Sequence, residues 1–309
     1  MIYTVTLNPA IDKTVEIPDF TTGKVNRVCS LRLDAGGKGI NVTKCLMNLG
    51  VESIAAMICG GSSGKKLLTM LSHQHVQTLA VSVPGETRTN LKIIDPTGKT
   101  NTDINEPGSP LSQQTLDAVW EKINYHTAPG DTVIFAGKNP PQTDDTLLAR
   151  WTHDLKARGI RVCVDTVGQP MRLALNEKPD IIKPNQAELS ELMQQPMREE
   201  ADIIDAARSL VAQGVGLAVV SMGSQGAVFV TRDKVLRGYS PKVSVTSTVG
   251  SGDSMMAALA HYTASGCSLE EVARRSIAVS SATVTCDGSQ SAQLDRILPL
   301  IDKVRLEVR

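Results

Sequence analysis

One local pattern limits the folds open to this chain: an amphipathic helical stretch, a glycine, then a short β-branched run. It occurs at Leu46–Val51, Leu155–Ile160 and Leu210–Val215. In each, glycine supplies the left-handed conformation that ends a helix, and the following apolar run reads as a buried strand. Candidate strands fall at 2–7, 53–58, 132–136, 161–165, 180–182 and 216–221, with helix-patterned segments such as 111–125 and 143–157 between them. That alternation predicts an α/β fold with a largely parallel sheet covered by helices on both faces. Ligands of such sheets sit beyond the carboxyl ends of the strands, so polar residues just after strands are the candidates for chemistry.

Two stretches break the alternation, 12–33 and 88–105. The second reads as a hairpin, Thr89–Ile94 and Lys99–Ile104, around Asp95-Pro96-Thr97-Gly98. Both are assigned to a small β-sheet lid on a single domain of 309 residues. Near the carboxyl end two helices follow one another, about 252–264 and 269–284, the second opening on a capping box from Ser268 to Glu271.

Lys plus Arg equals Asp plus Glu at 32 each, so no global field gathers nucleic acid or anionic lipid, and any anion site must be local. The six cysteines form no Cys-x-x-Cys pair. That spacing disfavours zinc and a disulfide framework and suits a reducing cytoplasm. The opening Ile2–Leu7 reads as a strand without a charged leader, and no segment is a membrane span; the expectation is a cytosolic protein.

The strongest chemical signal is Gly250-Ser251-Gly252-Asp253 before the helical run Met255–Ala260. Glycines at a helix start let unpaired N–H groups converge on a phosphate, and a neighbouring carboxylate, Asp253, could accept a hydroxyl proton. The plainer alternative is a tight turn with a favourable first-turn acid. Gly36-Gly37-Lys38-Gly39-Ile40-Asn41 is a second glycine-rich loop feeding a helix. It lacks the Lys-Ser/Thr pair of a P-loop, and Asn41 could serve sugar hydroxyls or the loop could be a structural turn. Asp12 lies just past the first strand. In Thr87–Lys92, Arg88, Asn90 and Lys92 alternate and so share a face, which suits a phosphorylated sugar or a solvated edge strand. Asn185 and Glu188 read as an N-cap pair, and Ser221, Gly223 and Gly226 as a hairpin turn or a loop over a nucleotide.

In this order, Asn8-Pro9-Ala10-Ile11-Asp12, Gly36–Asn41, Lys183-Pro184-Asn185-x-x-Glu188 and Gly250–Asp253 resemble the ribokinase-like carbohydrate kinases over essentially the whole chain. The likeness is greatest to the phosphofructokinase B branch. Within it, Thr87–Lys92 and Thr102–Asn105 are most similar to the 1-phosphofructokinases. The resemblance implies a three-layer α/β core with a β lid, homodimerisation through that lid, ATP with Mg2+, and phosphorylation of a sugar phosphate, fructose 1-phosphate first. Tagatose 6-phosphate and fructose 6-phosphate are the rival acceptors, and a silent sugar-binding regulator is the rival without catalysis. Residue by residue, it implies Asp253 as base and Gly250, Ser251 and Gly252 as anion hole. Asp12, Gly37, Lys38, Asn41, Arg88, Asn90 and Lys92 become acceptor contacts, with Lys24 reaching the neighbouring subunit. Lys183, Asn185, Ser221, Gly223 and Gly226 fall on the nucleotide side, with Glu188 on Mg2+ through water. One departure stands out. The branch usually has serine where this chain has Lys138, which could bind the substrate phosphate differently or swing into solvent.

Overall fold

The computed structural model describes residues 1–309. Its strands are β1 (Ile2–Thr6), β2 (Ala10–Glu16), β3 (Ser30–Gly36), β4 (Ser53–Gly60), β5 (Gln77–Val83), β6 (Arg88–Asp95), β7 (Thr100–Asn105), β8 (Thr132–Ala136), β9 (Arg161–Asp165), β10 (Ile181–Ile182), β11 (Leu217–Ser221), β12 (Ala227–Val230), β13 (Val235–Tyr239) and β14 (Arg305–Val308). The helices are α1 (Lys38–Asn48), α2 (Gly61–His73), α3 (Gln113–His126), α4 (Leu147–Ala157), α5 (Gly168–Leu175), α6 (Gln186–Met193), α7 (Glu200–Ala212), α8 (Ser251–Ala264), α9 (Leu269–Thr283) and α10 (Leu294–Ile301).

Ten strands form the main sheet in the order β14-β13-β12-β11-β10-β9-β8-β1-β4-β5. Neighbours from β5 to β11 are parallel, as the alternation predicts; β12, β13 and β14 add an antiparallel flank. Glycines end the helices as expected: Gly50, Gly159 and Gly214 have φ of 74°, 73° and 113°. Central strands are apolar on both faces because both are covered. Tyr3, Val5 and Phe135 pack with Trp151 and Leu155 of α4 on one side, while Ile134, Cys163 and Val219 meet the Met255–Ala260 run of α8 on the other. Helix α8 is buried around its circumference, between α1 and α9, so small alanines there let the helices approach closely.

Strand order reverses at β1, which lies between β4 and β8, and a crevice opens at such a switch point beyond the strand ends. Over that crevice lies a second sheet, β3-β2-β6-β7. Its hairpin turn is held by Asp95, whose Oδ1 accepts N–H bonds from Thr97 and Gly98, each 3.0 Å. Cross-strand partners place Arg32, Thr14, Lys92 and Asp103 in one row, and Asp34, Asp12, Asn90 and Asn105 in another on the same face. The opposite face carries Leu31, Val15 and Ile93, then Leu33, Leu91 and Ile104. The lid is therefore amphipathic by simple strand alternation. The expected helix at 143–157 begins later, at Leu147, because Pro140 and Pro141 keep the chain extended and Asp144 then holds Thr146 in a turn.

Candidate active site

Helix α8 starts at Gly250, whose φ of 79° is left-handed, and no side chain caps it. Ser251 N–H bonds weakly to Thr248 O at 3.4 Å and Ser254 N–H to Gly250 O at 2.8 Å, but the N–H groups of Gly250, Gly252 and Asp253 have no protein acceptor. Three free donors at the positive end of a buried helix have the chemistry to hold an anion. Lys183 strengthens it. A Cβ on Gly252 would stand 3.3 Å from the Lys183 Nζ, so the glycine leaves room for the ammonium beside the donors.

Asp253 itself is buried, and its Oδ2 accepts a 2.8 Å bond from Asn41 Nδ2 of α1. Burial, reinforced by the nearby Asp165 carboxylate, pushes its pKa up to about 6, against the pull of Asn41, Lys38 and Lys183. Asp165, at the carboxyl end of β9, is 1% exposed and joins Lys38 at 3.2 Å and Lys183 at 3.5 Å. Burial opposes its charge, but the two ammonium groups outweigh that and hold it below the ordinary carboxylate range. Lys38 is held above its ordinary value: burial works against its charge, and Asp165, Asp253 and Glu188 prevail. The four groups form one electrostatic unit, with Lys38 at its solvent edge, in which the carboxylate without a lysine in contact is the better proton acceptor.

The segment Val249–Gly252 separates two recesses. On the lid side, Asp12 is wedged against Gly36, where any Cβ would collide with the carboxylate. Its Oδ1 accepts from Asn90 Nδ2 at 2.9 Å. Burial raises its pKa although Asn90, Lys44 and Arg88 favour the charged form. Lys92 is 3.6 Å from Asp103. Arg88 spends part of its fork on main-chain carbonyls, Nη1 on Glu106 at 2.7 Å and Nε on Asn8 at 3.3 Å. Next to it a cavity of about 520 Å³ opens at the ends of β1 and β8, lined by Thr6, Lys38, Arg88, Asn90, Lys138 and Asn139 among others. On the far side of Val249–Gly252 lies a second cavity of about 520 Å³, lined by Ser221, Gly223, Gly226, Ser251 and Gly252 and walled by Val243, Val245, Met255 and Val284.

A family model for pfkB family carbohydrate kinases matches residues 5–296. The chain belongs to the pfkB family of carbohydrate kinases. This pfkB kinase is 38% identical over 280 residues to the 1-phosphofructokinase of Rhodobacter capsulatus, covering 90% of the chain and 89% of the relative. It is 37% identical over 261 residues to that of Xanthomonas campestris, covering 83% and 82%. Its fold matches phosphofructokinase-2 from Escherichia coli, solved in complex with fructose-6-phosphate, with a TM-score of 0.92, 28% identity and 98% of both chains covered.

Of the residues expected to contact the acceptor, Lys38, Arg88, Asn90 and Lys138 line the cavity at the ends of β1 and β8, Asp12 and Lys92 line an adjoining recess under the lid with Asn90, Gly37 packs against Thr6 and Pro9, and Asn41 bonds Asp253, the expected base. Asn185 and Glu188 form a capping box, with both bonds at 2.9 Å, and Asn185 bridges to Ser221 beside the second cavity. Lys24 is not drawn in: it is exposed on the lid loop, away from the cavities of its own chain. Three contributors escape the sequence reading. Asp165 is an acid closing an apolar strand, whereas Asp12, expected just past the first strand, lies inside the lid strand β2 because Ala10–Glu16 pairs with β3 and β6. Thr6, whose buried Oγ1 has no partner, is hidden inside a strand. The wall from Val243 to Val245 lies in an irregular segment with no periodicity to mark it.

Proposed function

We propose that this kinase transfers the γ-phosphoryl group of ATP to the 6-hydroxyl of fructose 1-phosphate, giving fructose 1,6-bisphosphate and ADP. The observation that carries this reading is a buried carboxylate, Asp253, beside three free N–H donors between two recesses. The lid recess bears cations for a phosphorylated sugar, and the other bears glycines, serines and an apolar wall suited to a nucleotide. Asp253, with a pKa near 6, is largely ionised at neutral pH and accepts the hydroxyl proton. As the hydroxyl oxygen bonds to the γ-phosphorus, the bond to the β-bridging oxygen breaks and ADP leaves. The N–H groups of Gly250, Gly252 and Asp253, with Lys183, hold the charge on the transferring group. Asp12 and Asn90 orient the sugar through its hydroxyls.

Acidic side chains do not cluster into a metal cage, which fits Mg2+ carried mainly by phosphate oxygens and water. Glu188 uses one carboxylate oxygen for its cap bond, and the other remains to reach such an ion through water. When bound, Mg2+ would neutralise phosphate charge. The exposed apolar residues Val25, Val28, Leu31 and Ile104 on the lid support a homodimer through this sheet, with Lys24 serving the partner's site. No helix is long and apolar enough to cross a membrane, and the six unpaired cysteines support residence in a reducing cytoplasm.

Lys138 is the one feature favouring another acceptor, because an exposed cation over the cavity can hold a phosphate placed differently. The test is ATP-dependent ADP release with fructose 1-phosphate, fructose 6-phosphate and tagatose 6-phosphate, compared by kcat/KM. Preference for fructose 1-phosphate supports the assignment. Preference for another phosphosugar keeps the chemistry and reassigns the substrate, and no turnover with any contradicts the reading.

A further inference from the structure

Lys44 is a charged, half-buried side chain that the reaction above does not use. It lies on α1, one turn beyond Asn41, and its Nζ donates a 2.8 Å bond to the carbonyl of Ala35, a wholly buried residue at the end of the lid strand β3. Gly36, the next residue, is the one against which the Asp12 carboxylate is wedged. Three carboxylates face Lys44: Asp34 of β3, Asp12 of β2 and Asp253 of α8. Each is engaged elsewhere, Asp34 by Arg32 at 2.8 Å, Asp12 by Asn90 at 2.9 Å and Asp253 by Asn41 at 2.8 Å, and none closes an ion pair with Lys44. A bond to one carbonyl needs only an N–H group, whereas burying an ammonium costs free energy unless a field of opposite charge offsets it.

We propose that Lys44 is a positioning residue for the acceptor side of the site. It fastens the lid strand to α1 and supplies the positive charge shared by Asp12, Asp34 and Asp253. The inference rests on the reading of Asp12 and Asp253 as acceptor-site groups. Burial lowers the Lys44 pKa, and the three carboxylates act in the opposite direction. Asp253 also faces Asp165 of β9, Lys38 and Asn41 of α1, and Lys183 after β10, so Lys44 contributes one part of its environment.

Lys44→Gln keeps an N–H donor and removes the charge, while Lys44→Arg keeps the charge. For Lys44→Gln we expect the KM for the phosphosugar to rise on the order of tenfold, the worth of one nearby charge, with the KM for ATP changed less than about twofold. The acid limb of its kcat/KM profile should move upward by roughly half a pH unit or more, and Lys44→Arg should restore both. An unmoved limb and KM in folded Lys44→Gln would reduce Lys44 to a structural tie. If that variant does not fold, NMR titration of 13C-labelled lysine in the wild-type protein decides: Lys44 must be protonated at neutral pH, and a neutral amine there overturns the proposal. A silent Lys44→Gln beside an inactive Asp253→Asn defeats this inference alone, whereas an active Asp253→Asn defeats the catalytic reading beneath it.

Discussion

Asp253 and Asp165 share the neighbourhood of Lys38 and Lys183 yet shift in opposite directions, because only Asp165 is within ion-pair distance of the lysines. A base works when deprotonated, so kcat/KM for the acceptor should rise with pH through about 6 and then level. Asp165→Asn removes a like charge and frees both lysines to favour the ionised base, so the inflection should move to lower pH. An inflection that stays or moves upward in the measured profile would contradict this electrostatic account. Lys138 carries a separate prediction: Lys138→Ser should raise the KM for the phosphosugar about tenfold, the worth of one charge contact, and leave that for ATP nearly unchanged. Steady-state kinetics with each substrate varied checks it. Asp253, set off by its two preceding glycines, carries a local signature legible in the sequence, whereas the place of Asp12 inside the lid strand β2 is not, because Asn8-Pro9 hides where that strand begins. Asp165 is less legible than Asp253, because its importance lies in two lysines 127 and 18 positions away, a proximity that only the closed sheet creates.

At the scale of elements, caps separate stability from chemistry. The capping box of α9, Ser268 with Glu271, is remote from both recesses. Ser268→Ala should therefore lower stability by about 1 kcal/mol and leave kcat and both KM values in place, as read by denaturant melts and turnover. Glu188 combines cap and site. Glu188→Gln keeps an oxygen for the Asn185 N–H, so the melt should hold while the Mg2+ concentration for half-maximal activity rises several-fold; a lost melt with unchanged Mg2+ demand would leave Glu188 as a cap only. The parallel strands and their glycine-ended helices could be read because each is written locally. Strands β12 to β14 could not be oriented, since runs such as Val228-Phe229-Val230 say that a strand is buried but not which way it runs. The antiparallel pairing of β12 with β11 follows from the short Gly223–Gly226 connection, with φ of 57° and 98° at its glycines, which admits a hairpin and no crossover.

On the scale of the whole molecule, the lid joins a polar face over the crevice to an apolar face with Leu31 and Ile104 each 53% exposed. Replacing both by Glu should give a monomer in sedimentation velocity, with a weakened phosphosugar KM because Lys24 of a second copy is then missing; a dimer unchanged by the pair would place the interface elsewhere. The central claim is that Asp253 takes the proton of a phosphosugar hydroxyl within an anion hole at the start of α8. Its most direct measurement is ADP release with fructose 1-phosphate by the wild-type protein and by Asp253→Asn, with ATP affinity measured in parallel. The account predicts a fall in kcat of roughly 10²–10⁴ with ATP binding retained; turnover preserved in Asp253→Asn would contradict it.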